Sequence, residues 1–352
     1  MPAHETYRVE AADLQRDREA ILGLWRRHLP SLLHPDRSLE WGYVDNPFAP
    51  GCIWKLIAGD RIVGAAGLLL KRIKAGNSVV LAGRLGGLAI ESEHRSLGPA
   101  LMLTRALLEA RTRDGIAVVY TSSPDNLVPM MKRAGYVDVI ALSRYVRVLD
   151  AAPYLRRHLP TLAARCLSVP ANAALSATVA FEWRPGLVGR PDEFDGRFDD
   201  LWTRAAPFYG VTTERSSRFL KWRFRDDPVD IALTTVSVSS PVDDRLIGYG
   251  TYFMEGDLAN IVDLFAENAQ SALKTVLGCL VRCVRPRGAT SIAVRCAGTT
   301  AFNKVLRSCG FRPRPDDHPL TLMVSPPLPG EQDSMLTSAA AWHFLAADDF
   351  WH

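Results

Sequence analysis

The chain has few of the residues that build disulfide scaffolds or metal-centred domains. Its 352 residues include six cysteines, with no C-x-x-C pair and no histidine at zinc-ligand spacing. Cys279 and Cys283 lie four residues apart on a predicted helix and are interpreted as small core residues. The sequence therefore predicts no metal site.

A large excess of one charge and an apolar leader are also lacking. The amino-terminal MPAHETYRVE is polar, so we expect no signal peptide and a cytoplasmic protein. The net charge of +4 is mild for this length, so no nucleic-acid partner is expected, although the charge suits an anionic cofactor. We expect a monomer or a homodimer.

One nearly uncharged stretch, residues 159–181, contains Arg165 as its single charge. Such a segment suits either a helix at a membrane surface or a connector packed on two domains. Pro160 and Pro170 favour the connector, and the prolines of residues 150–195 predict only short helices there. Membrane contact is therefore not expected.

The chain contains an internal repeat. Its length fits two domains, and 47% apolar residues suffice for two cores. Three landmarks recur in the same order at offsets of 181, 184 and 175 residues: Trp41–Pro47 with Trp222–Pro228, Arg61–Gly64 with Arg245–Gly248, and Lys132–Tyr136 with Arg307–Phe311. Two similar domains in tandem are predicted, with four segments: a first domain at 1–149, a Pro-rich connector at 150–195, a second domain at 196–325 and a tail at 326–352.

The most informative segment is His94–Ala100, HRSLGPA, between a predicted strand, Arg84–Ile90, and a predicted helix, Leu101–Arg113. A glycine-containing turn that opens a helix presents free backbone N–H groups and the positive end of the helix dipole. Such a turn is a ready seat for a phosphate or pyrophosphate. It matches neither a Walker A loop nor the G-x-G-x-x-G dinucleotide fingerprint, because Pro99 and Ala100 follow its single glycine.

What remains is R-x-x-G-x-A, formed by Arg95, Gly98 and Ala100. This resembles the pyrophosphate loop of the GNAT acyltransferase superfamily, Q/R-x-x-G-x-G/A. The flanking order of strand, loop, helix, strand and helix also matches the family, and NLVPMMKRAGY at 126–136 resembles its closing helix and turn. One departure is Pro99, which has no N–H to donate to a phosphate.

The resemblance implies an α/β fold of two tandem GNAT-like domains, each a mixed, mostly antiparallel sheet flanked by helices. It implies a bulged strand around Gly86 and Gly87, where a pantetheine arm adds to the exposed strand edge. It further implies acetyl-CoA, or another acyl-CoA, as the cofactor. The implied cofactor-binding residues are Leu88, Ala89, Ile90, Arg95, Ser96, Leu97, Gly98, Pro99, Ala100 and Asn126.

The second copy lacks this loop. At the corresponding place it has AENAQSAL, residues 266–273, without glycine and with Glu267 where a pyrophosphate would lie. The resemblance therefore implies one cofactor site per chain, in the first half, and a degenerate second half that helps to shape an acceptor cleft.

The acid and base usual in the family are missing from their usual places. The position of the acidic tyrosine is occupied by Met131, and the strand Arg84–Ile90 carries no carboxylate. Tyr120, Ser122 and Asp263 are the candidate catalytic residues, chosen as polar groups near the expected thioester or in the matching strand of the second half. For Tyr120 a strand-end residue with no catalytic role is the alternative. Arg84 either binds an acidic acceptor or pairs with a nearby acid.

The predicted function is acyl-CoA-dependent N-acylation of a small amine, such as an amino sugar, an amino acid derivative or a natural-product intermediate. A FemX-like aminoacyl transferase is one alternative, although the mild charge and the intact loop oppose it. A non-catalytic CoA-binding or scaffold protein is the other, and the missing acid and base favour it.

Overall fold

Two eight-stranded sheets form the centre of the molecule. The computed structural model describes residues 6–156, 159–180, 187–191, 193–268, 270–326 and 335–349. Within these residues the first sheet has the order β1-β2-β3-β4-β5-β15-β6, with β9 added on β3. The second has the order β14-β7-β13-β12-β11-β10-β8, with β16 added on β13.

The first half and the connector contain β1 (Tyr7–Ala11), α1 (Arg18–His28), α2 (Pro35–Leu39), β2 (Cys52–Ala58), β3 (Arg61–Ala75), β4 (Ser78–Ile90), α3 (Leu97–Arg113), β5 (Val118–Pro124), α4 (Val128–Ala134), β6 (Val137–Ala141), β7 (Ser143–Val148), α5 (Ala152–Arg156) and α6 (Thr161–Ala180). The second half contains β8 (Leu187–Gly189), α7 (Gly196–Ala205), β9 (Val211–Thr213), α8 (Ser217–Phe224), β10 (Thr234–Ser239), β11 (Leu246–Glu255), β12 (Leu258–Ala266), α9 (Ser271–Val284), β13 (Ser291–Ala297), α10 (Thr300–Ser308), β14 (Arg312–Arg314), β15 (Leu320–Val324) and β16 (Phe344–Leu345).

Each sheet is antiparallel except for one central parallel pair of named strands, β4 with β5 and β12 with β13. Helix α3 packs on the first sheet through Leu103, Leu107 and Ala110, which are buried at the predicted helical spacing. Helix α9 packs on the second sheet in the same way. The predicted α/β fold of two mixed, mostly antiparallel sheets flanked by helices is confirmed.

The two halves exchange strands. Strand β7 belongs to the first half of the sequence, but it pairs with β13 and β14 in the second sheet. Strand β15 belongs to the second half, but it lies between β5 and β6 in the first sheet. Neither sheet is therefore built from one continuous range of residues.

The repeated tryptophans meet at the junction of the halves. The indoles of Trp41 and Trp222 stack with centroids 4.2 Å apart and an interplanar angle of 6°. Each Nε1–H donates to the other's backbone carbonyl, at 2.9 Å from Trp41 and 3.0 Å from Trp222. This reciprocal contact explains why both copies of the landmark carry a tryptophan.

The connector differs from its prediction. Helix α6 is 20 residues long and contains Pro170, so the expectation that helices here are short is wrong. Pro160 precedes the helix, where its carbonyl accepts from the N–H of Ala164 at 2.9 Å. Pro170 lies on the exposed side of the helix. A proline in a helix interior removes one hydrogen bond and need not end the helix when its ring faces outward.

The tail lies across both sheets. Strand β16 pairs with β13, while Trp342 and Phe344 surround the Tyr120 ring of the first sheet at centroid distances of 6.2 and 6.0 Å. His343 is buried, and its Nε2 lies 3.2 Å from the Leu264 carbonyl oxygen. The described part of the tail is therefore a packed element of the fold.

Acid should weaken this tail through His343. Burial lowers the pKa of the His343 imidazole from 6.5 to about 4. Because the pKa of His343 is lower in the folded protein than in the unfolded chain, the neutral imidazole favours folding. This contribution to stability is complete above pH 6.5 and is lost as the pH falls towards 4. We expect wild type to lose about 3 kcal/mol more unfolding free energy between pH 7 and 4 than His343→Gln. Urea titrations at both pH values measure this difference, and parallel losses in both proteins would contradict it.

Candidate cofactor and acceptor site

A cleft opens where β4 and β5 separate. These parallel strands are partners at Ala82–Val118, Gly83–Val119 and Arg84–Tyr120. The ladder ends there, whereas β4 continues to Ile90 and β5 to Pro124. The edge of β4 that includes Leu88, Ala89 and Ile90 therefore faces a wedge-shaped gap and offers its peptide groups to an extended ligand.

A bulge at Gly87 turns β4 away from β5. The register with β3 shifts between Ala65 and Gly67, and Gly87 has φ of +62°. Its carbonyl accepts from Trp25 Nε1 at 3.0 Å, and a Cβ atom at this position would lie 2.7 Å from Trp25 Cζ2. Only glycine fits here, and α1 holds the bulge in place through Trp25.

The loop after β4 leads directly into α3. Ser96 precedes the helix with extended backbone, and no hydrogen bond from its side chain caps the described helix. The N–H groups of Leu97 and Gly98, in the first turn, lack intrahelical partners, and Pro99 contributes none. A Cβ atom built on Gly98 meets nothing within 4 Å, so open space lies beside the turn. This end of α3 can receive an anion.

Arg95 is anchored beside this turn. Its Nη2 donates to the Ile90 carbonyl at 3.2 Å and lies 3.0 Å from His28 Nδ1. His28 Nε2 in turn lies 2.7 Å from a Glu91 carboxylate oxygen, and this hydrogen bond holds the pKa of Glu91 below its usual value. Arg95 is exposed, so its guanidinium can still reach a phosphate. Asn126 is exposed in the turn that follows β5, at the far side of the gap.

The equivalent turn in the second half is blocked by its own side chain. Asn268 Oδ1 accepts from the N–H groups of Gln270, Ser271 and Ala272 at 3.2, 2.8 and 3.2 Å. Glu267 lies 3.3 Å from Arg245 in an ion pair. Ala269 lies outside the described residues. The backbone N–H groups at the start of α9 therefore already have an acceptor, whereas the equivalent N–H groups of α3 have none among the described residues.

Two of the catalytic candidates lie on β5. Tyr120 is fully buried, and its hydroxyl donates to the Asp348 carbonyl oxygen of the tail at 2.8 Å. Burial, together with the nearby carboxylates of the tail, raises the pKa of this phenol well above its usual range. Ser122 is half-buried two residues further along, on the same face of the strand and past the last ladder pair. Met131, at the usual acid position, is a core residue.

The third candidate, Asp263, lies inside the second half. It is fully buried, forms an ion pair with Arg215 at 3.0 Å and accepts from the Tyr249 hydroxyl at 2.6 Å. Arg215 also binds Asp348 at 2.7 Å. The structure thus connects Asp263 to Tyr120 only indirectly, through Arg215 and Asp348. Burial would raise the pKa of Asp348, but Arg215 outweighs that effect and holds it below its usual value.

The tail also supplies a carboxylate to the first half. Asp349 Oδ1 lies 2.6 Å from Arg84 Nε and 2.5 Å from its Nη2. Arg84 is the residue of the last β4–β5 ladder pair, so this ion pair lies at the inner end of the cleft. Of the two predicted roles for Arg84, the structure shows pairing with a nearby acid.

A pocket of about 140 Å³ adjoins the same place. Arg84 and Gly87 form its cleft side, and its walls come from α1, α2 and the residues after them: Trp25, Leu29, Ser31, Leu32, Ser38 and Tyr43. The Ser38 hydroxyl is buried and has no hydrogen-bond partner among the described residues. A buried polar group without a partner is costly, so this hydroxyl suits a bound ligand.

Sequence reasoning did not find this pocket or Asp349. Tyr43 belongs to the repeated Trp41–Pro47 landmark and Ser38 lies three residues before it, and this landmark was the available signal. Asp349 is 265 residues from Arg84, and no local pattern relates the two. No group of three or more metal-ligating side chains occurs within the described ranges. Of the described helices, none is long and apolar enough to cross a membrane.

Comparisons with known proteins agree on the architecture. No family model and no curated protein matches the chain. Among solved structures, a probable N-acyltransferase of unknown function from Enterococcus faecalis V583 matches with a TM-score of 0.64 and 13% identity, over 91% of this chain and 72% of that one. A GCN5-related N-acetyltransferase from Anabaena variabilis ATCC 29413 matches with a TM-score of 0.64 and 12% identity, over 91% and 72%.

The N-myristoyltransferase of Saccharomyces cerevisiae, solved with bound myristoyl-CoA, matches with a TM-score of 0.55 and 11% identity, over 92% of this chain and 84% of that one. Identities this low concern the fold. The splayed parallel strands, the glycine bulge and the loop that opens α3 are all in place in the first half, and the second half repeats the sheet. The chain therefore has the fold of the GCN5-related N-acetyltransferase (GNAT) superfamily, present as two tandem copies.

Proposed function

We propose that this protein transfers an acyl group from acyl-CoA, with acetyl-CoA as the donor, to the amine of a small molecule. The observation that carries the proposal is the three-pair β4–β5 ladder, which ends at Arg84 and Tyr120 beside an uncapped helix. The blocked turn of α9 supports a single cofactor site per chain. The solved neighbours of the same fold, described as N-acetyltransferases and an N-myristoyltransferase, are consistent with this reaction class.

The first half fits coenzyme A. The open space at Gly98 and the free N–H groups of α3 suit a pyrophosphate, with Arg95 beside it. Leu88, Ala89 and Ile90 would bind the pantetheine arm along the β4 edge, and Asn126 would contact it from the β5 side. When bound, the cofactor supplies an activated thioester carbonyl.

The small pocket suits the amine-bearing end of the acceptor. A cavity of about 150 Å³ accommodates a molecule the size of benzene, so the 140 Å³ here matches a small group and not a long acyl chain. The apolar walls formed by Trp25, Leu29 and Leu32 disfavour an ammonium ion and so favour the neutral, nucleophilic amine. Ser38 would hydrogen-bond the acceptor and orient it towards the cleft.

We assign the general base to Asp349, whose carboxylate is held by Arg84 at the inner end of the cleft. It would accept the proton that the amine releases on acylation. Tyr120 and Ser122 remain the candidate proton donors on β5. Asp263 would act as a positioning residue, because through Arg215 it fixes Asp348 and the part of the tail that carries Asp349.

Asp349→Asn should lower kcat about 100-fold and leave KM for acetyl-CoA nearly unchanged, because the amide keeps its shape but cannot take a proton. Steady-state CoA release with the best amine acceptor measures both constants. Asp226→Asn, an exposed aspartate of the repeat landmark, is the matched control and should keep full activity. Equal activity of Asp349→Asn and wild type would refute the assignment.

The reaction itself is tested by thiol release. Acetyl-, octanoyl- and myristoyl-CoA are incubated with a panel of amino sugars, amino acid derivatives and polyamines, and free CoA is measured with a thiol reagent. We expect acetyl-CoA to turn over with at least one amine. Binding of acetyl-CoA without turnover of any amine would favour a CoA-binding protein that does not catalyse. The bonded Tyr120 hydroxyl and the buried Met131 are the observations that support this second candidate.

A further inference from the structure

Three arginines occupy neighbouring positions on adjacent strands of the second sheet. Arg144 on β7 is the ladder partner of Arg295 on β13 and of Arg314 on β14. We call Arg295, Arg144 and Arg314 the arginine row. Directly paired residues share a face of the sheet, with Cβ atoms about 5 Å apart, and like charges at this spacing repel. The row therefore costs stability unless negative groups compensate its charge.

That compensation is incomplete. Arg295 donates to both carboxylate oxygens of Asp316, each at 2.7 Å. Arg144 and Arg314 form no ion pair with any described residue, although Arg144 is half-buried. The centre of the row is thus a guanidinium that is partly removed from water and has no counter-ion among the described residues.

A second cavity, of about 570 Å³, lies in front of this guanidinium. Arg144, Arg295, Asn260, Glu255 and His318 contribute to its wall, together with Leu320 of the exchanged strand β15. Its volume lies within the range of small-molecule sites, about 300 to 1,000 Å³. The described residues of its wall include none from β4, β5 or α3, so it is separate from the β4–β5 cleft.

We propose that this cavity binds a small metabolite through one carboxylate or phosphate group held by Arg144. A guanidinium offers parallel N–H donors that match either group in a bidentate arrangement. Glu255, Asp316 and Asp317 also line the cavity, so a molecule with more than one anionic group would be repelled. The ligand therefore carries one anionic group and hydroxyl or amine donors for Glu255, whose carboxylate Asn260 Nδ2 holds at 3.1 Å.

Thermal shifts with two probes test the site. Glycerol 3-phosphate supplies a phosphate with hydroxyl groups, and lactate supplies a carboxylate with one, each at 10 mM against chloride of equal ionic strength. We expect at least one probe to raise the Tm by about 2 °C or more. The probe that gives the larger shift identifies the anionic group. No shift with either probe overturns the proposal.

Variants locate the binding. Arg144→Gln should abolish the shift while its own ligand-free Tm stays equal to or above that of wild type, because repulsion in the row is relieved. Arg144→Lys keeps the charge but loses the parallel N–H donors of the guanidinium, so the Tm shift of this variant should fall by at least half. If Arg144→Gln does not fold, Arg144→Lys shows whether Arg144 binds the anion. Arg61→Gln, which removes an exposed charge of the first half, is the control and should keep the full shift.

Gly98→Glu separates this site from the proposed cofactor site. The shift caused by the probes should persist in Gly98→Glu, whereas a shift caused by acetyl-CoA should persist in Arg144→Gln. Loss of the probe shift in Gly98→Glu would place the anion at α3, and its retention in Arg144→Gln would place the anion away from Arg144; either result would overturn the proposal. The proposed acyl transfer is unaffected by either result.

Discussion

Gly98→Glu is expected to abolish acetyl-CoA binding without harming the fold. The new carboxylate would lie at the positive end of α3, where it competes with the pyrophosphate for the same N–H groups and repels it. Because a Cβ atom at Gly98 meets nothing within 4 Å, the substitution introduces no clash. We expect the affinity for acetyl-CoA to fall at least about 1000-fold, the scale of losing several charge-assisted hydrogen bonds.

The measurement is a calorimetric titration of acetyl-CoA, with the Tm of the ligand-free protein recorded beside it. Gly196→Glu is the matched control, because Gly196 also lies in the first turn of a helix, α7, and a Cβ atom there also meets nothing within 4 Å. The control should bind acetyl-CoA as wild type does. Undiminished binding in Gly98→Glu would refute a cofactor site at α3.

Asp263→Ala is expected to destabilise the protein by about 3 to 5 kcal/mol, the cost of leaving a buried partner charge uncompensated. Arg215 has no exposure and is bound by two carboxylates, and this substitution removes one of them. It also removes the acceptor of the Tyr249 hydroxyl, another fully buried group. Part of the cost falls on the tail, since Arg215 holds Asp348.

Urea unfolding measures this loss, and Asp226→Ala, at an exposed aspartate, should change the stability by less than about 0.5 kcal/mol. A further variant, Asp263→Asn, distinguishes positioning from direct catalysis. If Asp263 positions the tail, Asp263→Asn should lower stability and activity together. Full stability with complete loss of turnover in Asp263→Asn would instead make Asp263 a reacting group.

The sequence predicted those parts of the site that depend on local backbone chemistry. Gly87 indicated the bulge because a glycine inside a strand has few other reasons to be there, and the R-x-x-G-x-A loop indicated the open helix end. The start of α3 was predicted four residues late, at Leu101 instead of Leu97, since Gly98 and Pro99 are as typical of turns as of a first helical turn.

The parts of the fold and of the site that the sequence could not predict depend on long-range contacts. The internal repeat gives no sign of the strand exchange, because the last repeated landmarks end at Tyr136 and Phe311, before β7 and β15 begin. The sequence shows that the tail has acidic residues near its end, but only the fold shows that Asp349 reaches Arg84. The Ser38 pocket requires α1, α2 and β4 to be assembled before it exists.

The strand exchange has a consequence for how the protein is made. The edge of β5 is covered by β15, whose residues 320–324 leave the ribosome almost two hundred residues after β5 itself. An unpaired strand edge is a template for pairing with other chains. During synthesis the edge of β5 therefore stays unpaired until β15 has been made. Chains that end before residue 320 should aggregate. Only chains that include β15, residues 320–324, can close the first sheet.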